Sequence, residues 1–288
     1  MGLSYAVHAY AWTTSWSNAT LDLIDHVKSL GFDLIEIPLM ELELIDPDAI
    51  RQRLERVGLR VVTSTAISES TDITSGDDDV RRSGIKYLKG CVEATAAMGG
   101  ESFSGVIYSA IGRKIDGIPG PKYWENSATA LKEVAAYAAE LGITLGIEPI
   151  NRYESFLINT CEQGLRLIDM IGAPNVKLHL DAYHMNIEED EFYAPTMQAA
   201  GKLCHFHLSE SHRGTPGTGT VDWRAIYQAL ADQNYHGVVG LESFNNVSDA
   251  MRAATCVWRL MAPSSDHLLS HGLTYLRDLE REIYSATD

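Results

Sequence analysis

Leu141-Gly142-Ile143-Thr144-Leu145-Gly146-Ile147-Glu148-Pro149 sets the pattern for the whole chain. Aliphatic residues at 143, 145 and 147 alternate with Thr144 and Gly146, which is the period of a β-strand, and the run ends on a carboxylate. The preceding residues 126–141 have helical periodicity and stop at Gly142, where glycine tolerates the left-handed conformation that closes a helix. A second helical run follows the strand at 161–171. Outward in both directions the same unit recurs. Strands are expected at 5–11, 33–37, 60–66, 102–107, 143–148, 176–181, 203–208 and 237–242. Helices are expected at 20–30, 48–57, 79–98, 126–141, 161–171, 195–201, 223–232 and 267–285. Gly31, Gly58, Gly99 and Gly172 stand, like Gly142, between a helix and the next strand.

Eight strand-then-helix units in 288 residues predict an α/β fold, a (β/α)₈ TIM barrel forming one domain over residues 1–288. The competitor is an open doubly wound sheet, which usually carries a glycine-rich turn after its first strand. Here the first strand runs into Trp12-Thr13-Thr14-Ser15-Trp16, with no such turn. The longest Gly/Pro-rich loops, 109–125 and 209–221, both follow strands, on the side where barrel active sites are built.

Net charge is −16, from 23 Lys and Arg against 39 Asp and Glu. That field repels phosphate backbones and anionic membranes and favours divalent cations, so neither nucleic acid nor membrane is expected as a partner. No apolar run is long enough to span a bilayer, and residues 1–30 lack the pattern of a secretory leader, so a cytoplasmic location is expected. Cys91, Cys161, Cys204 and Cys256 form neither a C-x-x-C pair nor a disulfide framework, and read as reduced thiols.

Glu36, Glu148, Asp181, His207 and Glu242 all fall at the C-terminal end of an expected strand. Glu148 shares parity with Gly146, and Glu242 with Gly240, while the larger aliphatics occupy the other face. Both acids therefore point into the barrel mouth. Any one of the five alone reads as a helix cap or ion-pair partner. Together they bring carboxylates to one spot, where like charge and burial both oppose ionisation, and a divalent cation resolves the conflict. Two Glu, one Asp and one His suit manganese, magnesium or cobalt better than structural zinc. Glu36 reads equally as a supporting or a structural residue. His179 and His205, one layer deeper, read as core histidines.

Four segments are specific: Ile147-Glu148-Pro149-Ile150-Asn151-Arg152-Tyr153-Glu154; Leu180-Asp181-Ala182-Tyr183-His184-Met185-Asn186; His205-Phe206-His207-Leu208-Ser209-Glu210-Ser211-His212-Arg213-Gly214; and Leu241-Glu242-Ser243-Phe244. In order and spacing they closely resemble the ketose 3-epimerase family, which includes the D-tagatose, D-allulose (psicose) and L-ribulose 3-epimerases. The resemblance is strongest over residues 140–245, and the Ser-His-Arg-Gly loop looks most like the L-ribulose/D-allulose branch. It implies that Glu148, Asp181, His207 and Glu242 hold a divalent metal, Mn²⁺ before Co²⁺ or Mg²⁺. It implies that Glu148 and Glu242 are also the catalytic acid and base, working through a metal-stabilised cis-enediolate. Glu154, His184 and Arg213 match residues that hydrogen-bond the sugar, and apolar contacts are expected from Trp12, Ile67, Ile107 and Phe244. A homodimer or homotetramer is implied as well. Pro149 and Ser209 depart from the family pattern, at positions that bear on sugar preference rather than on the ligands.

The rival readings are a related sugar isomerase, an inosose dehydratase or a 3-keto-sugar epimerase, which share the chemistry and the fold. An endonuclease IV-like nuclease shares an Asp-x-x-His pattern but needs a basic surface. A sugar-binding scaffold has no need of two opposed carboxylates on a metal. The stretch Gly214-Thr215-Pro216-Gly217-Thr218-Gly219 suggests a phosphate loop but lacks the lysine and hydroxyl residue that loop requires, and reads instead as a hinge or ordered loop placing Arg213.

Overall fold

The computed structural model describes residues 2–285. Eight parallel strands close into a barrel in chain order: β1 Ser4–His8, β2 Leu34–Pro38, β3 Arg60–Ala66, β4 Ser102–Val106, β5 Thr144–Ile147, β6 Val176–Asp181, β7 Leu203–His207 and β8 Val238–Leu241. Register is continuous across the closure, with Ala6 beside Gly240. Around it run α1 Asp22–Ser29, α2 Pro47–Val57, α3 Asp78–Ala97, α4 Pro121–Glu140, α5 Cys161–Ile171, α6 Ala182–Glu188, α7 Tyr193–Gln198, α8 Trp223–Asp232, α9 Asp249–Thr255 and α10 Ser265–Tyr284. Among the described residues no helix is long and apolar enough to cross a membrane.

Local chemistry sets the boundaries. Asp46 accepts from the Ala49 N–H and Pro47 opens α2, while Gly58 closes it at φ 65. Thr160 and Gln163 cap α5 reciprocally, and Gly172 ends it at φ 66. Some boundaries differ from the sequence reading. Strand β1 stops at His8, not at 11, because the His8 ring accepts from the Tyr10 N–H and tips Ala9–Ala11 into a 3₁₀ turn. Helix α4 begins at Pro121, not at 126, since proline at the first helical position needs no N–H partner. Helices α6 and α9 were not anticipated: α6 is a short run continuing directly from β6, and α9 buries no side chain, so no apolar stripe marks it.

The main core lies between barrel and helices, where Ile35, Leu145, Ile147, Phe206 and Leu241 meet the apolar faces of the helices. Inside the barrel, Ala6, Leu34 and Val62, with Val238 against them, form an apolar floor. Above that floor the fill is polar: His8, Glu36, His179 and His205, all buried. Two glycines make room for it. A Cβ on Gly146 would lie 2.6 Å from the Ser104 Cβ and 3.4 Å from that of His179. One on Gly240 would lie 3.0 Å from the His205 ring and 3.2 Å from that of His207.

Candidate active site

At the top of that polar column, Glu148, Asp181 and His207 bring one ligand atom each within 4.8 Å of one another, all three buried. His207 Nδ1 lies 3.8 Å from Glu148 Oε1 and 3.7 Å from Asp181 Oδ2. It has no hydrogen-bond partner among the described residues. A buried, unpartnered imidazole nitrogen facing two buried carboxylate oxygens is a donor set that fits a divalent cation. Burial pushes the Glu148 carboxyl well above the usual carboxylate range, with Asp181 and Glu242 adding to it against the pull of His207. Burial also opposes ionisation of Asp181, but the nearby His184, His207 and Arg213 win and bring it to about 2.

Asp181 has a double role that follows from its place in the chain. Its Oδ1 accepts from the Tyr183 N–H at 2.7 Å and caps α6, which leaves Oδ2 for the site. That cap starts α6 and sets His184 one turn on. His184 Nδ1 accepts from the Asn151 backbone N–H at 3.1 Å, so its N–H is on Nε2, 3.9 Å from Asp181 Oδ2. Burial lowers the His184 pKa and keeps the ring neutral. Asn151 also donates to Glu154 Oε1 at 2.8 Å and so steers that carboxylate.

Glu242, the fourth ligand implied by the family resemblance, accepts at Oε2 from Arg213 Nη1 at 2.6 Å instead of joining the other three. The Arg213 guanidinium lies 4.0 Å from the Tyr183 ring centre and 4.6 Å from that of Phe244. Burial works against its charge, but Glu242, Asp181 and Glu154 more than offset that and push its pKa up. The loop behind it is ordered rather than hinged. Glu210, fully buried, accepts from the N–H groups of Ser211, Gly217 and Val221 and from Trp223 Nε1, at 2.8, 2.9, 3.2 and 3.0 Å.

Glu36 has no exposure and sits beneath the cluster. Its Oε2 is 2.9 Å from His205 Nε2 and 2.8 Å from His207 Nε2, and its Oε1 is 3.7 Å from His8 Nε2. Burial opposes its charge, yet His207, His205 and His8 hold its carboxyl well below the usual range.

A cleft of about 250 Å³ opens above these groups. Glu148, Glu154, His184, His207, Arg213 and Glu242 form its polar side, with Tyr10, Met40, Val106, Ile111, Phe244 and Met251 among its apolar lining. Phe244 lines this cleft, whereas Trp12, Ile67 and Ile107 do not. Trp12 turns away: its Nε1 donates to Asp266 at 2.7 Å and its ring packs on His26. Ile67 and Ile107 lie in the hydrophobic core, and their chain neighbours Ala66 and Val106 face the cleft instead. His8 and Tyr10 escaped the sequence reading, though His8 shares the inward parity of Ala6. Met251, on α9, left no signal to find.

An acidic barrel with histidine and carboxylates at the C-terminal ends of its strands defines a class. The chain belongs to the xylose isomerase-like TIM barrel family, whose model matches residues 24–271. It is 37% identical over 281 residues to the L-ribulose 3-epimerase of Methylomonas sp. (strain DH-1), covering 96% of this chain and 97% of that protein. It is 34% identical over 274 residues to the ketose 3-epimerase of Arthrobacter globiformis, covering 94% of each. The crystal structure of D-allulose 3-epimerase from Methylomonas sp. in complex with D-allulose superimposes with a TM-score of 0.92 at 36% identity, covering 96% of this chain and 97% of that one. Within the barrel family the chain is therefore a member of the ketose 3-epimerases, enzymes of the isomerase class.

Proposed function

We propose that the enzyme interconverts carbon-3 epimers of free ketoses, of the D-allulose/D-fructose, D-tagatose/D-sorbose or L-ribulose/L-xylulose type. One observation carries this reading. Glu148 and Glu242, from strands three apart around the barrel, face one cleft beside a buried Glu, Asp and His cluster. A cation held by Glu148, Asp181, His207 and Glu242, Mn²⁺ by preference and Co²⁺ or Mg²⁺ otherwise, would polarise the ketose carbonyl and stabilise the charge left when carbon 3 loses its proton.

Epimerisation removes a proton from one face of carbon 3 and returns one to the other. Glu148 and Glu242 follow different strands and line one cleft; in this reading one takes the proton and the other supplies it, exchanging roles with the direction of reaction. His184 offers an Nε2–H donor, Arg213 offers guanidinium donors, and Glu154 accepts from a hydroxyl. Together they orient the reacting end, while Tyr10, Met40, Ile111 and Phe244 exclude water from the rest. With this function go a free ketose as partner, a cytoplasmic location and a homodimer or homotetramer.

Glu148→Gln and Glu242→Gln keep side-chain size and remove the proton acceptor. Each is expected to lose nearly all turnover while circular dichroism and thermal unfolding show a folded chain. Near-wild-type turnover in either variant rules out the two-carboxylate mechanism.

A further inference from the structure

Glu36 lies outside the cleft lining, and among the described residues its ion-pair partners are histidines alone. A buried carboxylate without Arg or Lys is costly unless its oxygens are used. Here one oxygen takes two bonds, from His205 Nε2 at 2.9 Å and from His207 Nε2 at 2.8 Å. An ionised carboxylate only accepts, so both Nε2 atoms carry hydrogen, and in a neutral imidazole that leaves the lone pair on Nδ1. For His207, Nδ1 is the unpartnered atom facing Glu148 and Asp181. Gly240 lets the two rings come this close, since a Cβ there would press on both.

We propose that Glu36 is the positioning residue of the metal centre: it locks His207 as the Nε2–H tautomer and so presents Nδ1 to the cation. His205 is the second anchor, holding the carboxylate at the angle His207 needs. The proposal rests on the metal-dependent reading above and deepens it, because Glu36 reaches the cation only through His207. A carboxylate behind a ligating imidazole sets its orientation and raises its basicity, and losing one typically costs about tenfold to a hundredfold in metal affinity.

The test is Mn²⁺ affinity, from the EPR signal of free Mn²⁺, for wild type, Glu36→Gln and Glu36→Ala. It is joined by long-range ¹H–¹⁵N NMR of histidine-labelled, Mg²⁺-loaded wild type. The expected result is a dissociation constant raised about tenfold to a hundredfold in Glu36→Gln and further in Glu36→Ala. The KM for ketose at saturating metal should change little, and the wild-type spectrum should show hydrogen on Nε2 of both His205 and His207. Wild-type affinity in folded variants overturns the proposal, as does a wild-type His207 that carries its hydrogen on Nδ1. If Glu36→Ala does not fold, the isosteric Glu36→Gln and the wild-type spectrum decide. Tight Mn²⁺ binding without conversion of any ketose removes the epimerase reading and leaves the role of Glu36 standing. A wild-type protein that binds no Mn²⁺ removes both.

Discussion

Arg213 takes a left-handed backbone at φ 58, a conformation that non-glycine residues rarely adopt and that costs of order 1–3 kcal/mol. The Arg213 N–H bonded to the Glu210 carbonyl at 2.7 Å helps hold it there. What this geometry secures is a planar cation between two rings with one nitrogen on Glu242. Lysine keeps the charge but not the plane or the fork. Arg213→Lys should therefore lower kcat/KM by about tenfold to a hundredfold, the equivalent of roughly 1.5–3 kcal/mol for a hydrogen bond to a charged group. An unchanged kcat/KM would show that charge alone suffices. At this scale the residues read best were those whose strand parity could be counted, such as Glu148 against Gly146 and Glu242 against Gly240. Trp12, Ile67 and Ile107 lie beyond the regular strands, where parity no longer predicts direction. Glu36 is visible in the sequence as a strand-end acid, but its histidine contacts join positions 8, 36, 205 and 207, which only barrel closure brings together.

The loop between β7 and α8 shows how an element can be held by a single side chain. Each Glu210 oxygen accepts two donors, and the loop between them carries Arg213. In Glu210→Gln an amide group replaces one of these acceptors and faces N–H groups it cannot satisfy, at a cost of about 1–3 kcal/mol. Faster proteolytic cleavage within residues 211–221 is expected, with a higher KM for ketose and unchanged Mn²⁺ affinity. A wild-type cleavage rate and KM would mean the loop is held by other contacts, such as Gly217 against the Tyr275 ring. Elements with a clear hydrophobic period were legible in the chain: α5 and α8 fall at the expected residues, and all five glycines between helix and strand take positive φ. Helix α6 is set by one cap, and α9 by a Ser248 cap with no buried face, so neither left a periodic signal.

For the whole molecule, eight parallel strands bring Glu148, Asp181, His207 and Glu242 to one end of the barrel from four separate strand ends. Metal that binds only the folded state should stabilise it by about 2.7 kcal/mol at a concentration one hundred times its dissociation constant. In a domain of this size that is on the order of 4–5 °C in Tm. Chelation should lower Tm by this amount and abolish turnover, and added Mn²⁺ should restore both. An unmoved Tm would argue against a cation in the fold. The central claim, proton exchange at carbon 3 of a free ketose, is tested most directly in deuterated water. The metal-loaded enzyme is incubated with D-allulose, D-tagatose and L-ribulose, and label is followed at each carbon by NMR. Deuterium at carbon 3 together with the 3-epimer is the predicted result. Label at carbon 1, or loss of water from the sugar, would contradict it and make the enzyme an isomerase or a dehydratase built on the same site.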